Sequence, residues 1–343
     1  MLDREISRVV TRLGLSGRRV LVAVSGGLDS TALLHLLYGQ SRRHGLELSV
    51  GHVNHGLREE ASDADQAAVE ALAGALGLPV RCLRADPRPR RAGGTSRSRP
   101  TLQEAAREAR YEALRALAAG LGAERIATAH TADDQAETVL LRLLRGSGPD
   151  GLGGIPERSP DGVIVRPLLA VSRRELEAFA SAQGLAWRED ASNAKPDYAR
   201  NRLRLRWLPG LASEFNPRLL RALGGLAEAQ RRDSEWIDAQ VEREVTSRLS
   251  VDGKWLVIEA KDWSELPEAL ARRVVRAALR RSGAGREVSR AHLMRMLTYL
   301  RRGRRGTRIE LPGGLVLSRE RVGFRLGPLA PASRGGLDGE GAC

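Results

Sequence analysis

One stretch limits what this chain can fold into more than any other: VLVAVSGGLDSTALLHLL, Val20–Leu37. Its first residues are apolar in succession, as in a strand buried on both faces, and its last residues follow a helical pattern. Between them lie Ser25-Gly26-Gly27 and then Leu28-Asp29-Ser30. Adjacent glycines let the backbone curl until successive N–H groups point into one concavity, and a helix N-terminus adds positive potential there. Strand, loop and helix together have the layout of a phosphate cradle. The loop lacks the lysine of Gly-x-x-x-x-Gly-Lys-Ser/Thr and the spacing of Gly-x-Gly-x-x-Gly. Ser25 and Ser30 can donate hydroxyls. Asp29 would repel a phosphate unless a divalent cation bridged the two, which points to Mg²⁺ with Asp29 as its ligand. The plainer alternative is a tight βα turn with Asp29 as a favourable first-turn anion.

The surrounding pattern is alternating. Arg19–Val24, Leu48–Val53, Val80–Leu83 and Arg125–Ala129 read as short buried strands. Ser30–Leu37, Ala61–Leu76, Leu102–Leu121 and Ala132–Leu144 read as helices. This spacing predicts an α/β fold, a parallel twisted sheet with helices on both faces. Residues 86–100, rich in Arg, Pro, Gly and Ser, should form a mobile loop at the sheet's carboxyl edge. Ser172 and Glu175 predict a capping box opening a helix to Gln183. Beyond it the apolar stripe from Leu219 to Val245, interrupted at Gly224-Gly225, connects to a smaller, mainly helical domain. There Pro267–Arg281 and Arg290–Leu300 read as helices, and a closing β-hairpin turns at Leu311–Gly314. The expected division is 1–212, 213–327 and a disordered, Gly/Ala/Pro-rich tail, 328–343.

Charge follows the same division. The chain carries 56 basic and 42 acidic residues for a net +14, and residues 201–343 hold 28 basic against 17 acidic side chains. Such asymmetry is the footprint of a polyanion binder. Cys82 and Cys343 give no disulfide framework and no Cys-x-x-Cys site, and no apolar stretch is long enough for a membrane. The expectation is a cytoplasmic protein without a membrane partner, its oligomeric state open between monomer and homodimer.

Several side chains stand where chemistry is expected. His52, His55 and Arg58 follow the second strand, at the sheet edge where ligands of open α/β folds sit. A histidine in a strand, such as His52, is more often structural. Arg107 and Arg110 share a helix face. His130 ends a strand, Asp133 and Asp134 begin a helix, and Glu137 lies on the face of Asp134, so two carboxylates could converge beside a cleft; as plain helix-capping acids they would do nothing more. Arg145, Arg200, Asn201 and Arg204 alternate with Tyr198 and Trp207, as basic and stacking groups do in nucleic-acid binders. Arg301, Arg302, Arg304, Arg305 and Arg308 crowd beside the hairpin, where a polyanion would relieve their repulsion.

SGGLDS after an apolar strand resembles the pyrophosphate loop of N-type ATP pyrophosphatases, which cleave ATP between the α and β phosphates and adenylate a substrate oxygen. HVNHGLR (52–58), LQEAAREARYEAL (102–114), ATAHTADDQAETVLLRLLRGSGPDGLGG (127–154), RPLLAVSRREL (166–176) and WREDASNAKPDYARNRLRLRWLPGL (187–211) narrow the resemblance to the tRNA(Ile)-lysidine synthetases. Past residue 215 it rests on the long connecting helix and ELPGGLVL, and the chain's length fits the shorter architecture with one C-terminal domain. The resemblance implies an ATP-dependent ligase joining free L-lysine to the C-2 carbon of the wobble cytidine in the CAU-anticodon isoleucine tRNA. An adenylated cytidine is the intermediate, AMP and diphosphate leave, and the codon read changes from AUG to AUA. It implies that Ser25, Gly26, Gly27, Leu28, Asp29, Ser30, His55 and Arg58 hold ATP. Asp29, Arg110, His130, Asp134 and Glu137 would be catalytic, with the last two binding lysine. Arg145, Arg200, Asn201, Arg204, Arg304 and Arg305 would meet the tRNA. One departure stands out: the family commonly shows two histidines where this chain has His130-Thr131. A tRNA thiolase of the same superfamily would need cysteines to carry sulfur or a cluster, and here Cys82 sits inside an expected strand while Cys343 is the last residue. A non-catalytic RNA-binding module would release no pyrophosphate with lysine, ATP and tRNA.

Overall fold

The structure, a computed structural model, describes residues 2–54, 59–86, 102–188, 199–284 and 288–328. It divides into two compact units, Met1–Arg231 and Arg232–Cys343. The first is built on a parallel sheet of β1 (Arg19–Ala23), β2 (Glu47–Asn54), β3 (Val80–Arg84), β4 (Arg125–Ala127) and β5 (Ile164–Val165), in spatial order β3-β2-β1-β4-β5. Val20, Leu21 and Val22 of β1 are fully buried, because helices cover the sheet and leave neither face to water. α1 (Leu2–Arg12) and α2 (Leu28–His44) pack with the strands around Val10, Leu15, Leu33 and Leu37. The helix Leu102–Gly120 places Leu114, Leu117 and Ala118 in a smaller cluster with Leu21, Ile126 and Ile164.

This order locates the site. The chain leaves β1 toward β2 on one side, and β4 lies on the other, so β1 and β4 flank the point where the strand order reverses. Open α/β sheets bind ligands in the crevice at the carboxyl ends of such strands. Here those ends carry Ser25–Ser30 and His130–Glu137.

The expected strands and helices of this unit are present with shifted ends, and β5 and α1 join them. The capping box is formed: Ser172 Oγ accepts from the Glu175 amide, and Glu175 Oε2 accepts from the Ser172 amide at 2.8 Å. The loop expected at 86–100 lies outside the described residues beyond Asp86, as do His55, Arg58, Tyr198 and the tail past Pro328.

The expected break at Gly224-Gly225 is corrected: one helix runs unbroken from Leu219 to Arg248. Each glycine costs only about 1 kcal/mol in a helix interior, and the residues around this pair carry the helix through. The expected boundary at 212/213 precedes this helix, and the division between the compact units falls within it. Arg231, the last residue of the first unit, donates to the carbonyls of Gly153 and Ile155 at 3.2 Å each.

In the second unit the hairpin strands Arg308–Leu311 and Leu315–Arg319 belong to a larger, five-stranded antiparallel sheet. Leu249–Asp252, Trp255–Glu259 and Gly323–Pro328 complete it. Helix Glu268–Arg281 buries Ala271, Val274, Val275, Ala278 and Leu279, a helical stripe that packs with the inner face of this sheet.

Candidate active site

The loop after β1 is held by its own hydroxyls. Ser30 Oγ donates to the Gly27 carbonyl at 2.9 Å and accepts from the Ser25 amide at 3.1 Å. Its single proton is thereby spent, so Ser25 Oγ is the donor in the 3.1 Å hydrogen bond between the two hydroxyls. Gly26 sits at φ +89°, a region costly for any residue with a Cβ, which explains a glycine at this position. Gly27 caps α2 without a side chain, so the amides of its first turn face the crevice unclaimed by a cap. Leu28 is buried beneath and anchors that turn.

Asp29 stands at this helix start. Its Oδ2 meets Arg173 Nη1 at 3.3 Å, while the buried Oδ1 has no hydrogen-bond partner among the described residues. Burial pushes its carboxyl up to about 6; Arg173 opposes this, Asp134 adds to it, Arg204 opposes and Asp133 adds. A buried carboxylate oxygen without a donor, near two further carboxylates, is a place that suits a cation.

Across the switch point, the helix Ala132–Leu144 opens with a second capping box. Thr131 Oγ1 accepts from the Asp134 amide and Asp134 Oδ2 accepts from the Thr131 amide at 3.0 Å. Thr131, where the family commonly has its second histidine, is therefore a helix cap. His130 Nδ1 lies 3.1 Å from Thr128 Oγ1. Burial pushes His130 down to about 3; Asp134 resists, while Arg166, Arg110 and Arg107 push the same way. At neutral pH it is an uncharged imidazole.

The two carboxylates are together and both engaged. Glu137 is fully buried. Its Oε2 accepts from Arg200 Nε and from Arg204 Nη2, and its Oε1 from Arg204 Nε. Asp134 Oδ1 accepts from Arg200 Nη2 at 2.9 Å and lies 3.4 Å from Arg204 Nη2. Burial alone would raise the Asp134 carboxyl, but Arg200, His130, the Thr131 amide and Arg204 bring it below the ordinary range. Arg200 lies in the short helix Ala199–Arg202, and Arg204 in the turn of π-helix that follows, Leu203–Trp207. Widened turns of this kind are frequent at functional sites, and this one aims Arg204 at the acids.

A third group faces His130 from the helix Leu102–Gly120. Arg107 and Arg110 lie over the Tyr111 ring at 5.1 and 5.5 Å. Burial pushes the Tyr111 hydroxyl up, but Arg107, Arg110 and Arg166 outweigh it and leave it below its usual value. Among the described residues no carboxylate forms an ion pair with these three guanidiniums. This corner is thus electropositive and receptive to an anion.

His52 is buried and donates from Nδ1 to the Val24 carbonyl at 2.8 Å, so it braces β1 and does not face the crevice as a free ligand. Arg145 is an exposed C-cap. Sequence reading missed Arg173 and Arg166. Arg173 ties Asp133 to Asp29, its amide donating to Asp133 Oδ2 at 2.7 Å. The signal was present in RPLLAVSRREL, where both arginines flank a capped helix start.

A parallel sheet with a lysine-free phosphate loop at its switch point defines a PP-loop ATP-binding protein, and residues 1–211 match the family described as the PP-loop domain. Residues 259–322 match the TilS substrate binding domain. Among curated relatives, the tRNA(Ile)-lysidine synthase of Symbiobacterium thermophilum is 40% identical over 337 residues, covering 93% of this chain and 67% of the relative. That of Solibacter usitatus is 38% identical, covering 91% and 68%. That of Thermus thermophilus is 42% identical, covering 88% and 55%. The chain belongs to the tRNA(Ile)-lysidine synthase family, ligases with a PP-loop ATP-binding domain. Among solved structures, the U34-tRNA thiolase NcsA from Methanococcus maripaludis, with its [4Fe-4S] cluster, aligns at a TM-score of 0.53 and 17% identity over 67% of this chain and 78% of that one. This likeness extends to the fold alone.

Proposed function

We propose that this chain performs the family's reaction in full: ATP adenylates the wobble cytidine of the CAU-anticodon isoleucine tRNA at its C-2 oxygen, and free L-lysine displaces AMP. The observation that carries this is the pairing, across one switch point, of the Ser25–Ser30 loop with the carboxylate–guanidinium cluster of Asp134, Glu137, Arg200 and Arg204. A cytosine oxygen is a poor leaving group, so it must leave on a phosphate.

The uncapped amides at the start of α2 bind the departing pyrophosphate, where fixed donors offset developing charge without reorganising. Asp29 fits as the protein ligand of Mg²⁺. Its Oδ1 is unpartnered among the described residues, and Mg²⁺ commonly takes one or two carboxylates beside substrate phosphates. Bound there, the ion would neutralise charge on the β and γ phosphates. Arg110, with Arg107 and Arg166, takes the α-phosphate of the adenylate. His130, uncharged, can accept or donate a hydrogen bond beside it without adding charge. The cluster of Asp134, Glu137, Arg200 and Arg204 lines the lysine site. Arg145 on the first unit, and Arg304 and Arg305 on the second, meet tRNA phosphates.

The test is incubation with radiolabelled lysine, ATP and bulk tRNA. The reading expects acid-precipitable label that survives mild deacylation, since the bond is to a base and not to the terminal ribose. Label lost on deacylation, or pyrophosphate released without any label transfer, would refute it.

A further inference from the structure

One guanidinium beside the phosphate loop differs from its neighbours in how it is held. Arg173 opens the helix Arg173–Ala182. Its Nη1 reaches Asp29 Oδ2 at 3.3 Å, and its Nε reaches Glu177 Oε1, one turn on, at 3.4 Å. Charge-assisted pairs normally close to about 2.7–2.9 Å, as Arg200 and Asp134 do at 2.9 Å. Arg173 is thus shared between two carboxylates and bound tightly to neither. The fold does not need this side chain. The helix is already fixed by its capping box, by the fully buried Leu176 and Ala180, and by the Arg173 amide on Asp133 Oδ2. The site does need it. Asp133 and Asp134 both repel the charge of Asp29, and Arg173 is the strongest charge opposing them there. Yet it covers one Asp29 oxygen only, and the buried Oδ1 has no hydrogen-bond partner among the described residues.

We propose that Arg173 is a built-in counter-ion that keeps a lone divalent cation off Asp29 and turns to the triphosphate when nucleotide and metal enter together. This rests on the reading that the Ser25–Ser30 loop binds ATP with Mg²⁺ at Asp29. The sign of the charge carries the argument. A bare carboxylate attracts a divalent cation whether or not nucleotide accompanies it. With Arg173 beside it the pair has no net charge, and the guanidinium repels an arriving dication at close range. A metal–triphosphate complex is a net anion, so the same guanidinium attracts it. Arg173 therefore converts a place that would bind metal into one that binds metal with nucleotide. Glu177 offers a partner at i+4 while the guanidinium changes hands, so its charge is never left alone. Its planar donors match phosphate oxygens, which an ammonium would meet only as a point charge. Arg173 is a positioning residue at Asp29 and, once turned, a phosphate ligand.

The experiment measures binding and not turnover. Mn²⁺ stands in for Mg²⁺ and is followed by its electron paramagnetic resonance signal on the full chain, first alone and then with a non-hydrolysable ATP analogue. Arg173→Gln should bind Mn²⁺ alone roughly tenfold more tightly than wild type, and the Mn²⁺–analogue complex roughly tenfold more weakly, the scale of one charged hydrogen bond. Opposite shifts are the signature, since an arginine that only braced its helix would move both affinities the same way or neither. Adding Asp29→Asn to Arg173→Gln should abolish the gain for Mn²⁺ alone, which locates the ion. Arg173→Lys, keeping charge without the fork, should exclude Mn²⁺ alone as wild type does and recover binding of the complex only in part. Arg173→Met, which retains the aliphatic stem, takes the same two measurements should the Gln variant fold poorly. No gain for Mn²⁺ alone, a gain that survives Asp29→Asn, or equal affinity of wild type and variant for the complex would overturn the proposal. Failure of wild type to bind the Mn²⁺–analogue complex at all would instead refute the nucleotide reading, and the proposal with it.

Discussion

Each compact unit carries a cluster of arginines, and the two clusters are held in opposite ways. In the first, Arg173, Arg200 and Arg204 are each bonded to named carboxylates, and Arg107 and Arg110, without an ion pair among the described residues, are stacked on a ring. In the second, the run of Arg302, Arg304, Arg305 and Arg308 is exposed, and among the described residues none of these side chains has a hydrogen bond or ion pair. Arg301, by contrast, is tethered, its Nε donating to the Trp263 carbonyl at 3.1 Å. Held charges have a direction and can stabilise one developing charge at one place. Loose charges have reach and suit a phosphate backbone whose position varies.

The largest effect should follow from removing Asp29, whose buried Oδ1 is unclaimed among the described residues. Asp29→Ala is expected to lower lysine- and tRNA-dependent pyrophosphate release by about 10³-fold, the scale of removing a metal or a principal electrostatic group. Thermal melting should change little, because Asp29 gives the fold only a partly exposed ion pair with Arg173. Turnover within a few-fold of wild type would remove Asp29 from the site and leave the held half of the comparison without its centre.

A smaller effect is expected from the loose arginines. Replacing Arg304 and Arg305 together by Ala should weaken tRNA binding about tenfold at moderate salt. It should also reduce the slope of log K against log salt by about 1 to 2, one increment for each phosphate no longer neutralised. The KM for ATP should not move. An unaltered slope would mean that the run is a solvated surface, with no more role than its exposure suggests.

How much of this was legible beforehand differs between the units for a physical reason. The first announces itself locally: apolar runs for buried strands, Gly26 for a left-handed turn, Ser172 and Glu175 for a cap. Each depends on neighbours a few positions away. The pairing of Glu137 with Arg200 and Arg204 does not, since those residues are more than sixty positions apart. Sequence placed the acids with lysine and the arginines with tRNA, and only the fold shows that they neutralise each other. In the second unit Leu249–Asp252 escaped notice because Ser250, Val251 and Asp252 lie exposed and give no alternation to read. The strand Gly323–Pro328 begins and ends in residues that ordinarily signal turns. The hairpin between them was visible because its Pro-Gly-Gly turn is explicit.

The smallest effect concerns how a held environment sets a protonation state. His130 is pushed down to about 3 by burial and by three arginines, while in the unfolded chain it would titrate near 6.5. Between those values the unfolded chain binds a proton that the folded chain refuses. Folding stability contributed by this residue is therefore present above about pH 6.5 and is lost as pH falls toward 3. Other groups add their own slopes, so the informative quantity is a difference. The loss of stability from pH 7 to pH 5, read from urea midpoints, should be larger in wild type than in His130→Gln by of order 1 kcal/mol, allowing for partial exposure. His130→Gln keeps a side chain able to bond Thr128 Oγ1, so packing near β4 is preserved. Equal losses in the two proteins would show that His130 ionises freely in the folded state. The arginines facing it would then be as loose as Arg304 and Arg305, and the contrast between the two clusters would fail at the site where it matters most.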